Sequence, residues 1–176
     1  KRIRLSSIEP HLVKEDLIKL LASSDKFCRH LHIPLQSGDN KILKLMNRHY
    51  SREDYLYLIR RIRRIIPAIG MTTDVLIGFP GETNKNFQNT LEVLRKTMPL
   101  RVHSFIYSPR KLTKAVDLGQ SKVEQDELMV RVKILKQLSE DLSFNFRSSF
   151  LNKELLVLVE NVKEGVLSGY SDNYMR

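Results

Sequence analysis

Cysteine and long hydrophobic runs are scarce in this sequence of 176 residues. The single cysteine, Cys28, excludes an internal disulfide and suggests a reducing compartment. The longest apolar runs, such as residues 155–159, fall well short of the roughly 20 residues that a membrane-spanning helix needs. No apolar stretch of a signal peptide follows Lys1. We therefore expect a cytoplasmic protein with no membrane segment.

Both ends of the sequence look cut. The chain opens with Lys1, directly before a strand-like run, and closes at Arg176 without a tail. We expect from these two features that the chain is an internal piece of a longer protein.

Basic residues outnumber acidic ones. The chain has 30 Lys and Arg against 20 Asp and Glu, a net charge of +10. Such an excess favours a polyanionic partner, usually nucleic acid, although a solvated basic surface explains it equally well. The same choice applies to a dense basic run on one predicted helix, where we favour the solvated face: Arg60, Arg61, Arg63 and Arg64.

Apolar periodicity divides the sequence into alternating strands and helices, which predicts a parallel sheet. Four such strands are too few to close an eight-stranded barrel, so we expect an α/β fold that is an arc of a (βα) barrel over residues 1–150. A final pair of strands predicts the start of an all-β domain over residues 151–176. The predicted strands are 3–6, 30–35, 73–79, 102–107, 155–160 and 166–170, and the predicted helices are 12–21, 39–47, 51–66, 83–94 and 122–148.

Polar residues and glycines follow each of the four parallel strands. Because the carboxyl ends of parallel strands meet at one edge, these loops predict a single site built from residues far apart in the sequence. The loops begin at Ser6, Gln36, Gly78 and Tyr107.

Four segments, in this order, resemble one family. They are residues 2–10 (RIRLSSIEP), 30–38 (HLHIPLQSG) with 43–50, 72–83 (TTDVLIGFPGET) and 105–110 (FIYSPR). Together they are similar, over nearly the whole chain, to the radical S-adenosylmethionine (SAM) methylthiotransferases. The first segment and residues 169–175 look most like the branch that acts on N6-threonylcarbamoyladenosine in tRNA. The alternatives are the isopentenyl-adenosine branch, the ribosomal-protein branch and a non-catalytic RNA-binding relative.

The resemblance implies a partial (βα)6 barrel, of which this chain would carry strands three to six. A methylthiotransferase domain would precede the barrel, and residues 151–176 would begin a small RNA-binding TRAM domain. The CxxxCxxC motif that holds the catalytic cluster is absent, and Cys28 has no partner cysteine. We expect no metal ligands in this chain and no turnover by the chain alone.

The resemblance also implies the reaction and its partners. SAM is reduced by a [4Fe–4S] cluster, hydrogen is removed from C2 of the adenosine at tRNA position 37, and a methylthio group from a second cluster replaces it. The implied partners are tRNA and an electron donor of unknown identity. We expect the protein to be monomeric.

Site residues follow from the same resemblance. Gln36 and Ser37 match the family's ribose motif, although Ser37 could equally belong to a turn that Asp39 caps. Ser6, Ser7 and Glu9 are expected to contact cofactor or substrate, or else to form a strand-ending turn.

The third and fourth segments supply the remaining candidates. Asp74, Gly78 and Phe79 match the glycine motif that flanks the adenine, and Tyr107 stands where the family meets the adenine. A buried strand with a Pro-Gly turn and a core aromatic are the alternatives. Arg110 and Lys111 are expected to contact tRNA, although residues 110–115 lack the family's Gly-Thr-Pro-Ala stretch.

Overall fold

A four-stranded parallel sheet with helices packed against it forms most of the chain. The computed structural model describes residues 2–109, Ala115 and 123–176. The sheet runs in the order β1-β2-β3-β4 and does not close, so the predicted α/β class and partial barrel are confirmed. The strands are β1 (Ile3–Leu5), β2 (Phe27–His32), β3 (Gly70–Ile77) and β4 (Arg101–Ile106); the helices are α1 (Glu15–Ser23), α2 (Asn40–Leu45), α3 (Arg52–Ile65), α4 (Asn84–Thr97) and α5 (Gln125–Ser148), with a 3-10 turn at Pro10–Leu12.

The core lies between the sheet and the helices. Strand side chains alternate between two faces, and those of Leu31, Met71 and Val75 are buried in one cluster with Ile62 of α3 and Leu91 of α4. The opposite face corresponds to the inside of the barrel arc. It carries polar side chains instead, which are described with the site below.

Three of the predicted helix starts are confirmed by their caps, whereas the helix predicted over 12–21 is α1 and begins only at Glu15. Ser51 and Thr83 each form a capping box with the residue three positions on, Asp54 and Asn86. The Asp39 carboxylate accepts hydrogen bonds from the N–H groups of residues 41 and 42 at the start of α2. Local side-chain chemistry therefore sets where three of the five helices begin.

Two strands lie earlier in the chain than the periodicity predicted: both begin three residues earlier and end two or three residues earlier. The predicted strand 30–35 is β2, Phe27–His32, because Pro34 has no N–H to continue a regular ladder. The backbone nevertheless follows β3, since the N–H groups of Ile33 and Leu35 donate to the carbonyls of Thr72 and Asp74. The predicted strand 73–79 is β3, which ends at Ile77 because Gly78 turns away with a φ of 75°.

The last two strands form an antiparallel hairpin, β5 (Val157–Lys163) and β6 (Val166–Ser171), with Gly165 in the turn. β5 is exposed along its whole length. The residues after β6 return to the barrel, where Asn173 is 1% exposed and donates to the Ala68 carbonyl at 3.4 Å. The assignment of residues 151–176 to the start of a second domain stays a prediction.

Within the described part of the chain, every helix is too short or too polar to cross a membrane.

Candidate functional site at the carboxyl ends of the strands

The loop after β1 presents two exposed serines. Ser6 and Ser7 are both solvent-accessible, and Ser7 adopts a left-handed backbone with a φ of 57°. Glu9 is half-buried, and its carboxylate accepts a hydrogen bond from Nη1 of Arg48 at 2.6 Å. This ion pair holds the loop against the residues that follow α2.

The loop after β2 is joined to β3 through Gln36. Its N–H donates to the Asp74 carbonyl at 2.8 Å, and its carbonyl accepts from the N–H of Leu76 at 2.9 Å. The left-handed backbone at Gln36, with a φ of 61°, turns the chain at this point. Gln36 itself stays partly exposed.

Ser37 points into the protein and not toward solvent. Its side chain is fully buried, and its hydroxyl accepts from the Asp39 N–H at 3.3 Å and lies 3.5 Å from Oγ1 of Thr90. The adjacent Gly38 packs so tightly on α4 that an added Cβ would lie 2.5 Å from the Thr90 Cα. Ser37 thus occupies the turn that was the alternative expectation, and any contact with a cofactor would have to use its backbone atoms.

Gly78, Phe79 and Tyr107 come together from two loops. The N–H of Tyr107 donates to the Ile77 carbonyl at 2.8 Å, which continues the pairing of β4 with β3. The rings of Phe79 and Tyr107 meet edge to face, with centroids 5.3 Å apart. The Tyr107 hydroxyl is buried and has no hydrogen-bond partner among the described residues. A buried polar group costs free energy unless it is paired, so this hydroxyl is suited to a ligand atom at the rim.

A buried ion pair closes the loop after β3. Glu82 accepts a hydrogen bond from the Gly78 N–H and another from Arg131 of α5, both at 2.8 Å. Burial raises the pKa of the Glu82 carboxyl, and the Gly78 N–H and the Arg131 guanidinium oppose that rise. Sequence reasoning missed Arg131. Its signal was a charged residue in register with Leu128 and Leu135 on the buried face of α5.

A chain of hydrogen bonds runs along the inner face of the sheet. Oγ1 of Thr72 lies 3.1 Å from Nε2 of His30 and 2.9 Å from Nδ1 of His32, and Nε2 of His32 lies 3.1 Å from Oδ2 of Asp74. Asp74 can only accept, so a consistent proton assignment has His30 donating to Thr72, Thr72 to His32 and His32 to Asp74.

Burial lowers the pKa of His30 to about 3, which keeps this imidazole neutral. The predicted site residue Asp74 is therefore the partly exposed end of a polar chain that sequence reasoning did not describe. Alternating polar residues at 30 and 32 and at 72 and 74 were the available signal.

The structure gathers most of the predicted site residues at one rim. Ser6, Ser7, Gln36, Gly78 and Tyr107 follow neighbouring strands of one sheet. Arg110 and Lys111, which were expected to contact tRNA, lie outside the described residues. Cys28 is half-buried, and burial raises the pKa of its thiol. Among the described residues, no three His, Cys, Asp or Glu side chains lie together as metal ligands would.

The model of the radical SAM superfamily matches residues 1–94, and the chain belongs to that superfamily. Its curated relatives include the threonylcarbamoyladenosine tRNA methylthiotransferase MtaB of Thermotoga maritima, 39% identical over 99% of this chain and 40% of the relative. Another is the tRNA-2-methylthio-N(6)-dimethylallyladenosine synthase of Endomicrobium trichonymphae, 38% identical over 98% of this chain and 41% of the relative. The predicted resemblance to methylthiotransferases is confirmed, and the chain spans about 40% of the length of these relatives.

Two solved structures share the fold. One is the radical SAM enzyme coproporphyrinogen III oxidase of Escherichia coli, with a TM-score of 0.62 and 19% identity over 84% of this chain and 32% of that chain. The other is an archaeal protein of Methanocaldococcus infernus with an N-terminal deletion, with a TM-score of 0.57 and 15% identity over 74% of this chain and 31% of that chain. At these identities the likeness concerns the fold alone.

Proposed function

We propose that this chain forms the SAM-binding rim of a tRNA methylthiotransferase that acts on C2 of N6-threonylcarbamoyladenosine at position 37. The observation that carries the proposal is the meeting of Gly78, Phe79 and Tyr107 at the carboxyl ends of β3 and β4, where the buried Tyr107 hydroxyl has no partner among the described residues. Ligand sites of parallel α/β folds lie at this end of the strands.

Residues on the rim fit the adenosyl part of SAM. Gly78 permits the left-handed turn, with a φ of 75°, that exposes the backbone at the end of β3, while Leu128 of α5 fills the space that a side chain would take. The Tyr107 hydroxyl offers one donor and acceptor, and the Gln36 amide and the Ser6 and Ser7 hydroxyls offer others for the ribose and the methionyl group. When bound beside a reduced cluster, SAM supplies the radical chemistry, and this chain binds and orients it.

Residues of this chain do not fit the iron–sulfur cluster. Cluster iron is held by several cysteine thiolates, and Cys28 is the single cysteine of the chain. We propose that a part of the protein outside this chain provides the cluster ligands, and that the chain alone gives no turnover.

Two observations support tRNA as the substrate. The net charge of +10 favours a polyanion, and both relatives named above are tRNA-modifying proteins by name. We propose that Arg110 and Lys111, in the loop after β4, contact its phosphates. The first segment, RIRLSSIEP, favours the threonylcarbamoyl branch. The dimethylallyl relative, at 38% identity, keeps isopentenyl-adenosine as the second candidate.

The Tyr107 hydroxyl provides a direct test. Tyr107→Phe in the complete, cluster-loaded protein should raise the Kd for SAM about fivefold, the loss of one hydrogen bond of about 1 kcal/mol. The variant should unfold at the wild-type denaturant concentration, because the hydroxyl has no partner among the described residues. Tyr57→Phe, an exposed tyrosine on the outer helix α3, is the matched control and should change neither quantity.

Binding measurements on the wild-type protein separate the proposal from its alternative. If the wild-type protein binds tRNA in a salt-sensitive way but binds no SAM, the proposal is wrong and the chain belongs to a non-catalytic RNA-binding protein.

A further inference from the structure

Arg131 is a cation placed in the apolar face of a helix. Its neighbours one turn away on the buried side of α5, Leu128 and Leu135, belong to the hydrophobic core. The Arg131 side chain is only 2% exposed. Burying a charge is unfavourable unless the charge is paired and hydrogen-bonded, so the contacts of Arg131 show what it stabilises.

Those contacts lead to the loop after β3. Nη1 of Arg131 donates to Oε2 of Glu82 at 2.8 Å, and the Glu82 side chain is equally buried, at 2%. The same Oε2 accepts the N–H of Gly78 at 2.8 Å. Nη2 of Arg131 donates to Glu127, one turn earlier on α5. Arg131, Glu82 and the backbone of Gly78 therefore form one connected unit.

A second residue of α5 contacts the same loop. A Cβ built on Gly78 would lie 2.7 Å from Cδ1 of Leu128, so the helix packs directly on this glycine. Gly78 has a left-handed φ of 75°. The loop is thus held from outside by the ion pair and by a close apolar contact, while its other side faces the rim.

From this geometry we infer that Arg131 is a positioning residue for cofactor binding. Through Glu82 it holds the Gly78 backbone in the conformation that receives SAM, so that α5 belongs to the cofactor site although it does not contact the cofactor. The inference rests on the proposed function. A loop that is already fixed binds its ligand more tightly, because less ordering has to occur on binding.

The experiment measures SAM affinity and turnover in the complete, cluster-loaded protein. Arg131→Met should raise the Kd for SAM about tenfold and leave the turnover rate at saturating SAM within about twofold of wild type. Arg131→Lys should lie between the two, because lysine keeps the charge but cannot donate to both carboxylates as the planar guanidinium does. Leu135→Ala, at a fully buried site one turn further along α5, destabilises the fold and should leave the Kd for SAM unchanged.

A double variant separates positioning from stability. Glu82→Gln combined with Arg131→Met leaves no buried unpaired charge, so it should unfold at a higher denaturant concentration than Arg131→Met alone. Its Kd for SAM should stay raised several-fold, because the loop is no longer tied to α5.

The inference would be overturned if the double variant bound SAM as tightly as the wild type, or if Leu135→Ala raised the Kd for SAM as much as Arg131→Met does. If the wild-type protein itself binds no SAM, the proposed function fails first and the inference falls with it.

Discussion

His30 should make the free energy of unfolding of this protein fall as the pH is lowered. The side chain is fully buried in β2, and its pKa is lowered from 6.5 to about 3 by burial and by the nearby charge of Arg4. The ring of Tyr174 covers it, with centroids 4.5 Å apart. The native state therefore excludes a proton that the unfolded chain accepts.

The size of the effect follows from linkage. Because the native pKa lies below the unfolded one, the unfolded chain binds more protons, and stability is lost as the pH falls below 6.5 toward 3. At pH 5 the unfolded histidine is almost fully protonated while the native one remains neutral. The free energy of unfolding should therefore drop by about 2 kcal/mol between pH 7.5 and pH 5 on account of His30 alone.

Urea unfolding at a series of pH values measures this loss, with His30→Gln as the matched control. Glutamine cannot titrate and can still donate to Thr72, as Nε2 of His30 does at 3.1 Å. Other groups titrate equally in both proteins, so the difference between their pH dependences isolates His30. Equal losses of stability in the two proteins would refute the assignment of a neutral, buried imidazole.

Two further substitutions test how the fold positions the rim and the C-terminal segment. Gly70→Ala places a Cβ 2.0 Å from the Asn173 carbonyl oxygen. The variant should lose about 1–3 kcal/mol of unfolding free energy, and its amides should exchange hydrogen faster over residues 171–175. Unchanged protection of these amides in the variant would show that the segment does not dock. Asp39→Ala removes the cap of α2 and the acceptor of the Asn89 amide. In thermal unfolding this variant should lose about 1–2 kcal/mol of stability, and Asp39→Asn should lose less. Equal losses in the two variants would contradict the capping role.

Much of the fold could be predicted from local patterns. Alternating strands and helices identified the parallel sheet, and Asp39, Ser51 and Thr83 marked helix starts that the structure confirms. These features depend on neighbours in the sequence, which is why a single sequence reveals them. The strand boundaries were less accurate, because the end of β3 depends on the left-handed backbone of Gly78.

Contacts between distant residues could not be predicted. The pairing of Arg131 with Glu82 joins residues 49 positions apart, and neither residue type alone indicates a buried ion pair. The burial of Ser37 against α4 also depends on a distant element, Thr90, and its contact with the cofactor stays a prediction. The return of Asn173 to the start of β3 likewise depends on tertiary packing.

The most direct test of the account is mass spectrometry of tRNA nucleosides from cells with and without the gene that encodes this chain. We expect the cells without the gene to lose 2-methylthio-N6-threonylcarbamoyladenosine and to keep the unmethylthiolated nucleoside. Loss of the methylthio group from isopentenyl-adenosine instead would assign the other branch, and an unchanged set of hypermodified adenosines would contradict the proposed function.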